Sequence, residues 1–568
     1  MNETNNNPSM AIAKGHHKKV IAKNPKVCIA LSPIVNAKNQ RAGIWQRGSV
    51  AIRSWFGLPL IVGRLPRYSL PRPFLLMLRN DVRYYNWAHK PIILSLILFV
   101  FSSNLFSQNT KPDFNTVDHQ TYRFYFLENW DSLIITGEKA LKQDIDYFYL
   151  RMRLGRAYYE KDNFSKSAQH FEKALEYSAT NATALEYLYY SYLFTNRELD
   201  AKLLTKQFPE SLNKKINPPK NKAIDEIYLE TGPTSSNNIS LNKKDNLMGK
   251  DSIYGEHDLN DNKYYFHLGL KKNIGKRASV YVGYSKLSIS KLKQIQVSEL
   301  VKSGYDTIPY NGWYYVDTLY SKVYDRFDHN YKLYQNELYL NANIALGNGF
   351  LLVPAAHLVQ VQYNELHTHV DEVEFYAQSY DTVPTTKYVP RFHRIDTSFV
   401  NYVGWMALYK NISNYRFGLM GSYSDLNGKT QVQVGAEMVW FPQGNLDLYS
   451  VTNLTMAIED GRKRPVLKQK VGSHLSDKLW GEALFSLGSM INYTESNAFV
   501  VHNSGDKINF SIGANLILSL SSKIEVSVRY QYFAQSTYWY KLFNDGTIAN
   551  TTINYQNHQL IGGLKWKL

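Results

Sequence analysis

Cysteine is almost missing from this sequence of 568 residues, because the only one, Cys28, lies near the amino terminus. A chain with one thiol has no disulfide framework and no cysteine-based zinc site, and beyond residue 28 it has no cysteine nucleophile. The sequence also lacks the Gly-x-Ser-x-Gly, P-loop and dinucleotide-binding motifs, so it offers none of the usual signatures of hydrolases and nucleotide-binding enzymes.

Acidic residues are scarce only at the start of the chain. Residues 1–76 contain twelve basic residues and one acidic residue, Glu3, and residues 77–107 add a net charge of +2. Of the formal charge of +17, only +4 therefore belongs to the rest of the protein. A broad basic surface that would favour nucleic acid is not predicted, and no nucleic-acid partner is expected.

The longest apolar run near the amino terminus is too short to cross a bilayer. Residues 91–101 form it, and their number falls well below the roughly 20 that a spanning helix needs. Basic residues precede the run and small polar residues follow it, as in a secretory signal peptide. We predict a signal peptide over 77–107 with cleavage between Ser107 and Gln108, and a membrane anchor is the alternative.

The position of the predicted signal peptide determines how residues 1–76 are interpreted. A signal peptide normally begins at its own methionine, and Met77 stands at the start of the predicted one. Residues 1–76 are therefore interpreted as upstream sequence that is not part of the mature protein. The alternative is an unusually long basic leader.

Residues 113–210 carry a helical pattern that repeats. Asn129-Trp130 recurs as Asn163-Phe164, and the period of 34 residues resembles that of the tetratricopeptide (TPR) family. Large, small and aromatic residues stand at the positions where that family packs its helices. These residues are Leu154, Gly155, Tyr158, Phe171 and Ala174.

The resemblance implies an all-α domain of about three repeats. In such domains a small residue lets two helices cross closely, and a neighbouring aromatic side chain fills the groove. The resemblance also implies a concave surface that docks a periplasmic protein or peptide, and a structural spacer is the alternative. Residues 211–222 are rich in lysine and contain Pro218-Pro219, so they are predicted to be a linker.

From residue 223 to the end, apolar and polar residues alternate over segments of about 9–12 residues. Strands of soluble proteins average five or six residues, whereas a tilted strand needs about 9–11 to cross a bilayer. Tight turns alternate with long connections at 233–262, 288–330, 365–396, 493–506 and 540–555. We therefore predict an antiparallel transmembrane β-barrel over 223–568, with fourteen strands favoured within a range of twelve to sixteen.

A barrel in lipid places its apolar residues outside and its polar residues in the lumen. Tyr and Trp near the strand ends are expected in the interfacial girdles. These residues are Tyr264, Tyr265, Trp405, Trp440, Tyr538, Trp539 and Tyr540.

The last strand resembles the carboxy-terminal signal by which outer-membrane barrels are recognised for assembly. Leu564, Trp566 and Leu568 carry the likeness, although Leu568 stands where that family usually has Phe or Trp. The resemblance implies the barrel assembly machinery as a partner.

Taken together, these segments resemble an outer-membrane β-barrel protein with an amino-terminal periplasmic TPR domain, of a kind found in Bacteroidota. The resemblance implies location in the outer membrane, contact with its lipid, and a TPR domain in the periplasm. The leading hypothesis is a non-enzymatic barrel that acts as a small-solute pore or in envelope or surface assembly. The alternatives are a barrel-embedded enzyme acting on lipid or surface glycan, and a soluble β-rich protein.

Few residues suggest chemistry, and no cofactor, catalytic residue or metal site is predicted. His367 and His369 lie among acidic residues, but solvated polar side chains are the favoured interpretation over a metal site. Ser473 and His474 are adjacent, so in a strand they point to opposite faces and are poorly placed as nucleophile and base.

A short motif occurs twice in the long connections. Residues 305–309 have the sequence Tyr-Asp-Thr-Ile-Pro, and residues 380–384 have Tyr-Asp-Thr-Val-Pro. Hairpins that extend the strands are favoured over a binding surface.

Overall fold

The computed structural model describes residues 113–219, 222–245, 252–375, 385–543 and 546–568. The interpreted leader over 1–76, the signal peptide over 77–107 and its cleavage site at Ser107 and Gln108 lie outside these residues. The second copy of the repeated motif, at 380–384, also lies outside them.

A helical region precedes the sheet. It consists of α1 (Phe114–Phe126), α2 (Trp130–Leu141), α3 (Phe148–Glu160), α4 (Phe164–Tyr177), α5 (Ala182–Phe194), α6 (Glu198–Leu204), a 3-10 turn (Thr205–Gln207) and α7 (Glu210–Ile216). The segment interpreted as a linker, 211–222, therefore begins inside a short helix. None of the helices in the described part of the chain is long and apolar enough to cross a membrane.

The helices repeat with the period seen in the sequence. α1, α3 and α5 begin 34 residues apart, and so do α2, α4 and α6. The recurring asparagine has a structural role at the start of α2 and α4. The side chains of Asn129 and Asn163 accept hydrogen bonds from the backbone N–H groups of Ser132 and Lys166, and so cap the two helices.

The residues predicted to pack the repeats are buried between helices. Leu154, Tyr158, Phe171 and Ala174 are all buried. A Cβ atom on Gly155 would lie 2.9 Å from the Phe171 ring. A larger residue at 155 would therefore push α3 and α4 apart.

The sheet follows the helical region. Its strands are β1 (Glu226–Ser236), β2 (Ser252–Ile274), β3 (Ala278–Tyr310), β4 (Trp313–Gly347), β5 (Phe350–Phe375), β6 (Thr385–Ile412), β7 (Tyr415–Leu426), β8 (Lys429–Trp440), β9 (Leu448–Glu459), β10 (Arg462–Ser476), β11 (Leu479–Met490), β12 (Tyr493–Glu495), β13 (Val500–His502), β14 (Lys507–Ser519), β15 (Ile524–Phe543) and β16 (Ile548–Lys567).

Fourteen of the described strands form one closed antiparallel barrel. Each strand pairs with its neighbours in chain order, and β1 pairs with β16 to close the sheet. The remaining two, β12 and β13, form a separate hairpin. The predicted fold class, a closed barrel preceded by helices, is confirmed.

Several strands are much longer than predicted. The connection expected at 288–330 is a continuous pairing of β3 with β4 that ends at Tyr310 and Trp313. The two strands have 33 and 35 residues, which is far more than the roughly 9–11 that cross a bilayer. The hairpin interpretation of the first motif copy, at 305–309, is therefore correct.

The helical region lies at the end of the barrel that carries the tight turns, which is called the inner end below. The backbone N–H of Ser165 donates to the carbonyl oxygen of Gly444 in the β8–β9 connection (2.8 Å). A side-chain ion pair joins Glu198 of α6 to Lys271 of β2 (3.5 Å). The opposite end, with the long hairpins, is called the outer end.

Polar side chains lie on the inner face of the sheet and apolar side chains on the outer face, the reverse of the arrangement in a soluble protein. On β8, Gln431 and Gln433 are buried inside, whereas Val434 is 50% exposed on the outer surface. The same order holds on the last strand, where Leu564 and Trp566 are exposed outside and Lys565 is buried inside. The predicted orientation of apolar and polar residues is confirmed.

The prediction of the aromatic girdles is wrong at Tyr265 and Trp405, which both line the lumen. Trp405 faces the lumen and is 6% exposed, whereas Trp440 and Tyr538 are exposed outside. Strand alternation puts Trp405 on the same face as Val403 and Ala407, which are also buried. This part of the inner wall is apolar because it packs against an apolar segment inside the barrel.

The inverted faces predict how a charge on the outer surface affects stability. We expect Val434→Lys to reduce the free energy of unfolding by about 2–4 kcal/mol, because lysine near the middle of a bilayer-facing strand loses its hydration. Urea unfolding of the protein in phospholipid vesicles measures this. The control is Ile135→Lys, at a site 70% exposed on α2, which should cost almost nothing. Equal costs would contradict a lipid-facing outer surface.

A hydrogen-bonded cluster in the helical region predicts that this region becomes less stable at acidic pH. Glu138 contacts the His170 ring (3.3 Å) and accepts a hydrogen bond from the Tyr158 hydroxyl (2.8 Å). Arg151 contacts His170 Nδ1 (3.2 Å) and is always a donor, so Nδ1 accepts and Nε2 donates to Glu138. The bond from His170 outweighs burial and lowers the pKa of Glu138 to about 2. Burial lowers the pKa of His170 despite the nearby carboxylate.

Both lowered pKa values stabilise the folded state at neutral pH, and this stabilisation is lost as the pH falls below the ordinary values of 6.5 for His170 and 4.5 for Glu138. Helix melting followed by circular dichroism should therefore occur at lower temperature at pH 4 than at pH 7. Glu138→Gln should lower the pH 7 midpoint by roughly 4–8 °C, the shift expected for about 1 kcal/mol. Glu176→Gln, at a solvent-exposed ion pair, is the matched control. Identical midpoints at both pH values would contradict this account.

Candidate functional site: the crossed lumen

The connection between β11 and β14 folds into the barrel. The sequence predicts a long outer connection over 493–506, but the hairpin formed by β12 and β13 reaches the opposite wall. The Tyr339 hydroxyl of β4 donates to the carbonyl oxygen of Asn497 (2.9 Å). The Tyr409 hydroxyl of β6 donates to Asn497 Oδ1 (3.2 Å), and His357 Nδ1 of β5 donates to the carbonyl oxygen of Ala498 (2.6 Å). Residues 491–506 are called the lumenal hairpin below.

An aromatic cluster holds the tip of the lumenal hairpin. The Phe499 ring centre lies 4.9 Å from that of His267, 5.1 Å from that of Tyr339 and 6.3 Å from that of Tyr281. Phe499 is 3% exposed, so its burial depends on side chains from β2, β3 and β4. The tip therefore bridges the lumen from one wall to the other.

Ion pairs and hydrogen bonds hold the base of the lumenal hairpin. Glu495 pairs with Lys468 of β10 (2.5 Å) and with His502 of β13 (3.0 Å). Asn427 donates to the side chain of Asn492 and to the carbonyl oxygen of Asn503. The base is thus joined to the wall on its own side of the barrel.

The backbone at the hairpin tip is strained. Ser496, Asn497 and Ala498 have φ angles of 57°, 55° and 62°, in the left-handed region that residues with a Cβ avoid. Such a conformation costs on the order of 1 kcal/mol or more per residue and persists only where its surroundings impose it. Here the hydrogen bonds from Tyr339, Tyr409 and His357 impose it.

The helical region enters the inner mouth of the barrel. The turn between α5 and α6, residues 195–197, is called the cap turn. Asn196 lies at its tip with a φ of 60° and lines the lumen. Arg197 is held by ion pairs to Glu172 (3.1 Å) and Asp200 (2.8 Å), and its guanidinium lies 4.0 Å from the centre of the Tyr192 ring.

The outer end is narrowed by the long strands. The upper part of β2 also pairs with β15, with Tyr540 opposite Glu256. Tyr254, Ile295 and Val297 form an apolar cluster there, against which Leu366, Phe392, Tyr540 and Leu542 pack. Lys293 of β3 also forms ion pairs with Glu256 of β2 (2.9 Å) and Glu365 of β5 (2.5 Å). The described residues thus cross or narrow the lumen at three levels.

The residues considered for a metal site have other partners. Glu365 is paired with Lys293, and Asp371 pairs with Arg391 and His369. The His367 ring centre lies 5.8 Å from that of His393. Within the described ranges, no group of three or more His, Cys, Asp or Glu side chains could hold a metal ion.

The structure does not bring Ser473 and His474 together as a nucleophile and base. The Ser473 hydroxyl donates to the backbone carbonyl oxygen of His474 (3.4 Å). The His474 ring stacks on Trp480, with ring centres 4.1 Å apart, and its Nδ1 lies 3.4 Å from Asp447.

The predicted assembly signal forms one side of the barrel seam. β16 pairs with both β1 and β15. The backbone N–H of Leu568 donates to the carbonyl oxygen of Asp225, just before β1 (3.1 Å). Its recognition by assembly machinery stays a prediction.

The sequence does not predict the lumenal hairpin or the cap turn. One signal for the first was present, because Ala498-Phe499-Val500-Val501 is an apolar run in a segment predicted to face water. No comparable signal marked Asn196, whose role depends on how the helical region sits against the barrel.

Comparison of the sequence with protein-family models and with curated proteins finds no match. Solved structures with similar architecture include the toluene transporter TodX of Pseudomonas putida (7% identity, 61% of this chain and 91% of that chain, TM-score 0.34). Others are a FadL homologue of Pseudomonas aeruginosa (9%, 60% and 90%, 0.34) and the translocator domain of the autotransporter NalP from Neisseria meningitidis (8%, 62% and 92%, 0.25). The fold assignment rests on the strand pairing described above.

The contacts of Phe499 predict that its truncation frees the lumenal hairpin while the barrel stays folded. Phe499→Ala should weaken docking of the tip by about 3–5 kcal/mol, the usual cost of removing a buried phenylalanine ring. A glutamate-specific protease should then cleave after Glu495 at least tenfold faster. Phe417→Ala, the same change on the outer face, is the control and should leave the cleavage rate unchanged. Equal rates in both variants would show that Phe499 does not hold the hairpin.

Proposed function

We propose that the protein is a gated, non-enzymatic barrel of the outer membrane, whose helical region lies in the periplasm and controls access to the lumen. The observation that carries this proposal is the cap turn, because a helical region that only spaced the barrel from its surroundings would not place a side chain inside it. Location in a membrane is supported by the apolar outer face and the closed sheet, which leaves no unpaired strand edge in hydrocarbon.

A gate fits the lumen better than a permanently open small-solute pore. The lumenal hairpin, the cap turn and the outer apolar cluster each occupy part of the cross-section. The wall itself is continuous, whereas the lumenal hairpin and the cap turn are joined to it mainly by side-chain contacts. These two elements can therefore move without breaking the hydrogen-bond ladder of the barrel.

The helical region offers a surface for a partner that would operate the gate. Its helix starts repeat every 34 residues, as in TPR domains, and it has a concave groove of about 660 Å³. Tyr122, Tyr149, Arg153 and Arg156 line the groove, and Tyr122 and Tyr149 are exposed there. We propose that a periplasmic protein or peptide docks in this groove and shifts the cap turn.

Disruption of the cap turn should open the barrel. Arg197→Glu places a carboxylate between Glu172 and Asp200 and leaves a buried charge cluster unbalanced, which costs about 3–5 kcal/mol in comparable sites. In planar bilayers, the wild-type protein should be mostly silent, and Arg197→Glu should show discrete current steps. Folding of the variant is checked by its heat-modifiable migration on gels.

A reversible cross-link provides the second half of the test. Cysteines replacing Glu198 and Lys271, whose side chains form an ion pair, are joined in the Arg197→Glu background by a reducible bismaleimide. The current steps should disappear and return on reduction. The control pair, Glu210→Cys with Lys214→Cys, lies within α7 and should not affect conductance. A folded Arg197→Glu barrel that remains silent contradicts the gate, and turnover of lipid by that barrel favours an enzyme.

A further inference from the structure

A cavity in the lumen is lined by residues of the cap turn, the lumenal hairpin and the barrel wall. Its free volume is about 270 Å³, just below the range of roughly 300–1,000 Å³ typical of small-molecule sites. Asn196 of the cap turn and Asn497 and Phe499 of the hairpin all line it. The cavity is therefore bounded by the two elements that control the lumen, and not only by the barrel wall.

Five side chains in the cavity lining have buried polar atoms without a hydrogen-bond partner among the described residues. Asn196 has two such atoms, Nδ2 and Oδ1, and Trp405 has one, its indole Nε1. The others are Asn503, Arg529 and Asn557. Asn196 is 7% exposed and Trp405 is 6% exposed. An unpaired buried polar group costs about 1–3 kcal/mol, so a molecule that offers both donors and acceptors would be stabilised here.

The charges around the cavity are balanced. Lys468 pairs with Glu495 (2.5 Å), Lys470 with Glu482 (3.4 Å) and Arg529 with Glu230 (3.4 Å). Such a lining gives an ionic ligand little net attraction over an uncharged one.

Two further charged side chains of the lining offer hydrogen bonds of both kinds. Arg416 of β7 and Glu437 of β8 both line the cavity. A guanidinium is only a donor and an ionised carboxylate only an acceptor, so together they suit hydroxyl groups, which donate and accept.

Aromatic side chains supply the apolar part of the lining. Trp405, Phe441 and Tyr449 line the cavity from β6, the β8–β9 connection and β9. Aromatic rings bury apolar C–H surface well, and the indole N–H adds a donor beside that surface. The combination suits a ring with an apolar face and a polar edge.

From this lining we propose that the cavity binds an uncharged mono- or disaccharide. Its hydroxyl groups would pair with Asn196, Arg416 and Glu437, and one face of its ring would lie against Trp405. This proposal is separate from the proposed gate. Sugar binding is measured without transport, so sugar binding can fail while gating holds, and gating can fail while sugar binding holds.

Equilibrium dialysis of the full chain in detergent tests the proposal. The probes are tritiated glucose, N-acetylglucosamine and maltose, and overnight equilibration allows for slow entry into the lumen. At least one probe should bind saturably, with one molecule per chain. Asn196→Ala and Trp405→Phe should each weaken its binding about tenfold, as expected for the loss of one buried hydrogen bond.

Trp440→Phe, on the outer face of β8, is the control and should leave binding unchanged. Glucose 6-phosphate should bind more weakly than glucose, because the balanced lining does not compensate for the desolvation of a phosphate. The proposal is wrong if none of the three sugars binds, if the phosphate binds more tightly than glucose, or if binding is unaffected in both cavity variants. Asn196→Ala also changes the cap turn, whereas Trp405→Phe changes only the barrel wall. Trp405→Phe removes the indole N–H and part of the ring and keeps an aromatic face, and the Trp440→Phe control makes the same change outside the cavity.

Discussion

Closure of the sheet by the pairing of β1 with β16 is the constraint on which the rest of the structure depends. A closed sheet with an apolar outer face has only its interior for polar side chains, and these side chains must find partners there. The ion pairs of Lys468, Lys470 and Arg529 are examples. The lumenal hairpin then adds apolar and backbone partners to the same interior, so that the wall and its contents form one network.

Much of the barrel could be predicted because the alternation of apolar and polar residues along a strand is a local pattern. Alternation along β8 and β16 follows from which side of a strand faces lipid, and this can be read from a few consecutive residues. The outer ends of β3 and β4 could not be predicted in the same way. Beyond the bilayer the hairpin is no longer limited by membrane thickness, and its polar residues suit either a strand or a loop.

The candidate site was much less predictable because it depends on contacts between distant residues. Trp405 is a residue type expected in the girdles, but it belongs to a buried cluster inside the barrel that includes Phe499, almost a hundred positions later. The helical repeat was visible from its period, and its asparagine caps explain why that period includes Asn129 and Asn163. The approach of Asn196 to the lumen depends on how the helices sit against the barrel, and no local pattern encodes that arrangement.

The path of the lumenal hairpin restricts the order in which the protein can be assembled. The hairpin leaves from β11, yet its tip binds side chains on β2 to β6, which lie across the barrel only after the sheet has curled. The seam joins strands from opposite ends of the barrel sequence, so its formation has the largest loop to close and is kinetically the most demanding step. In the folded protein the docked hairpin therefore ties strands from the two halves of the sheet together, so the segment that crosses the lumen also braces the curled wall from within.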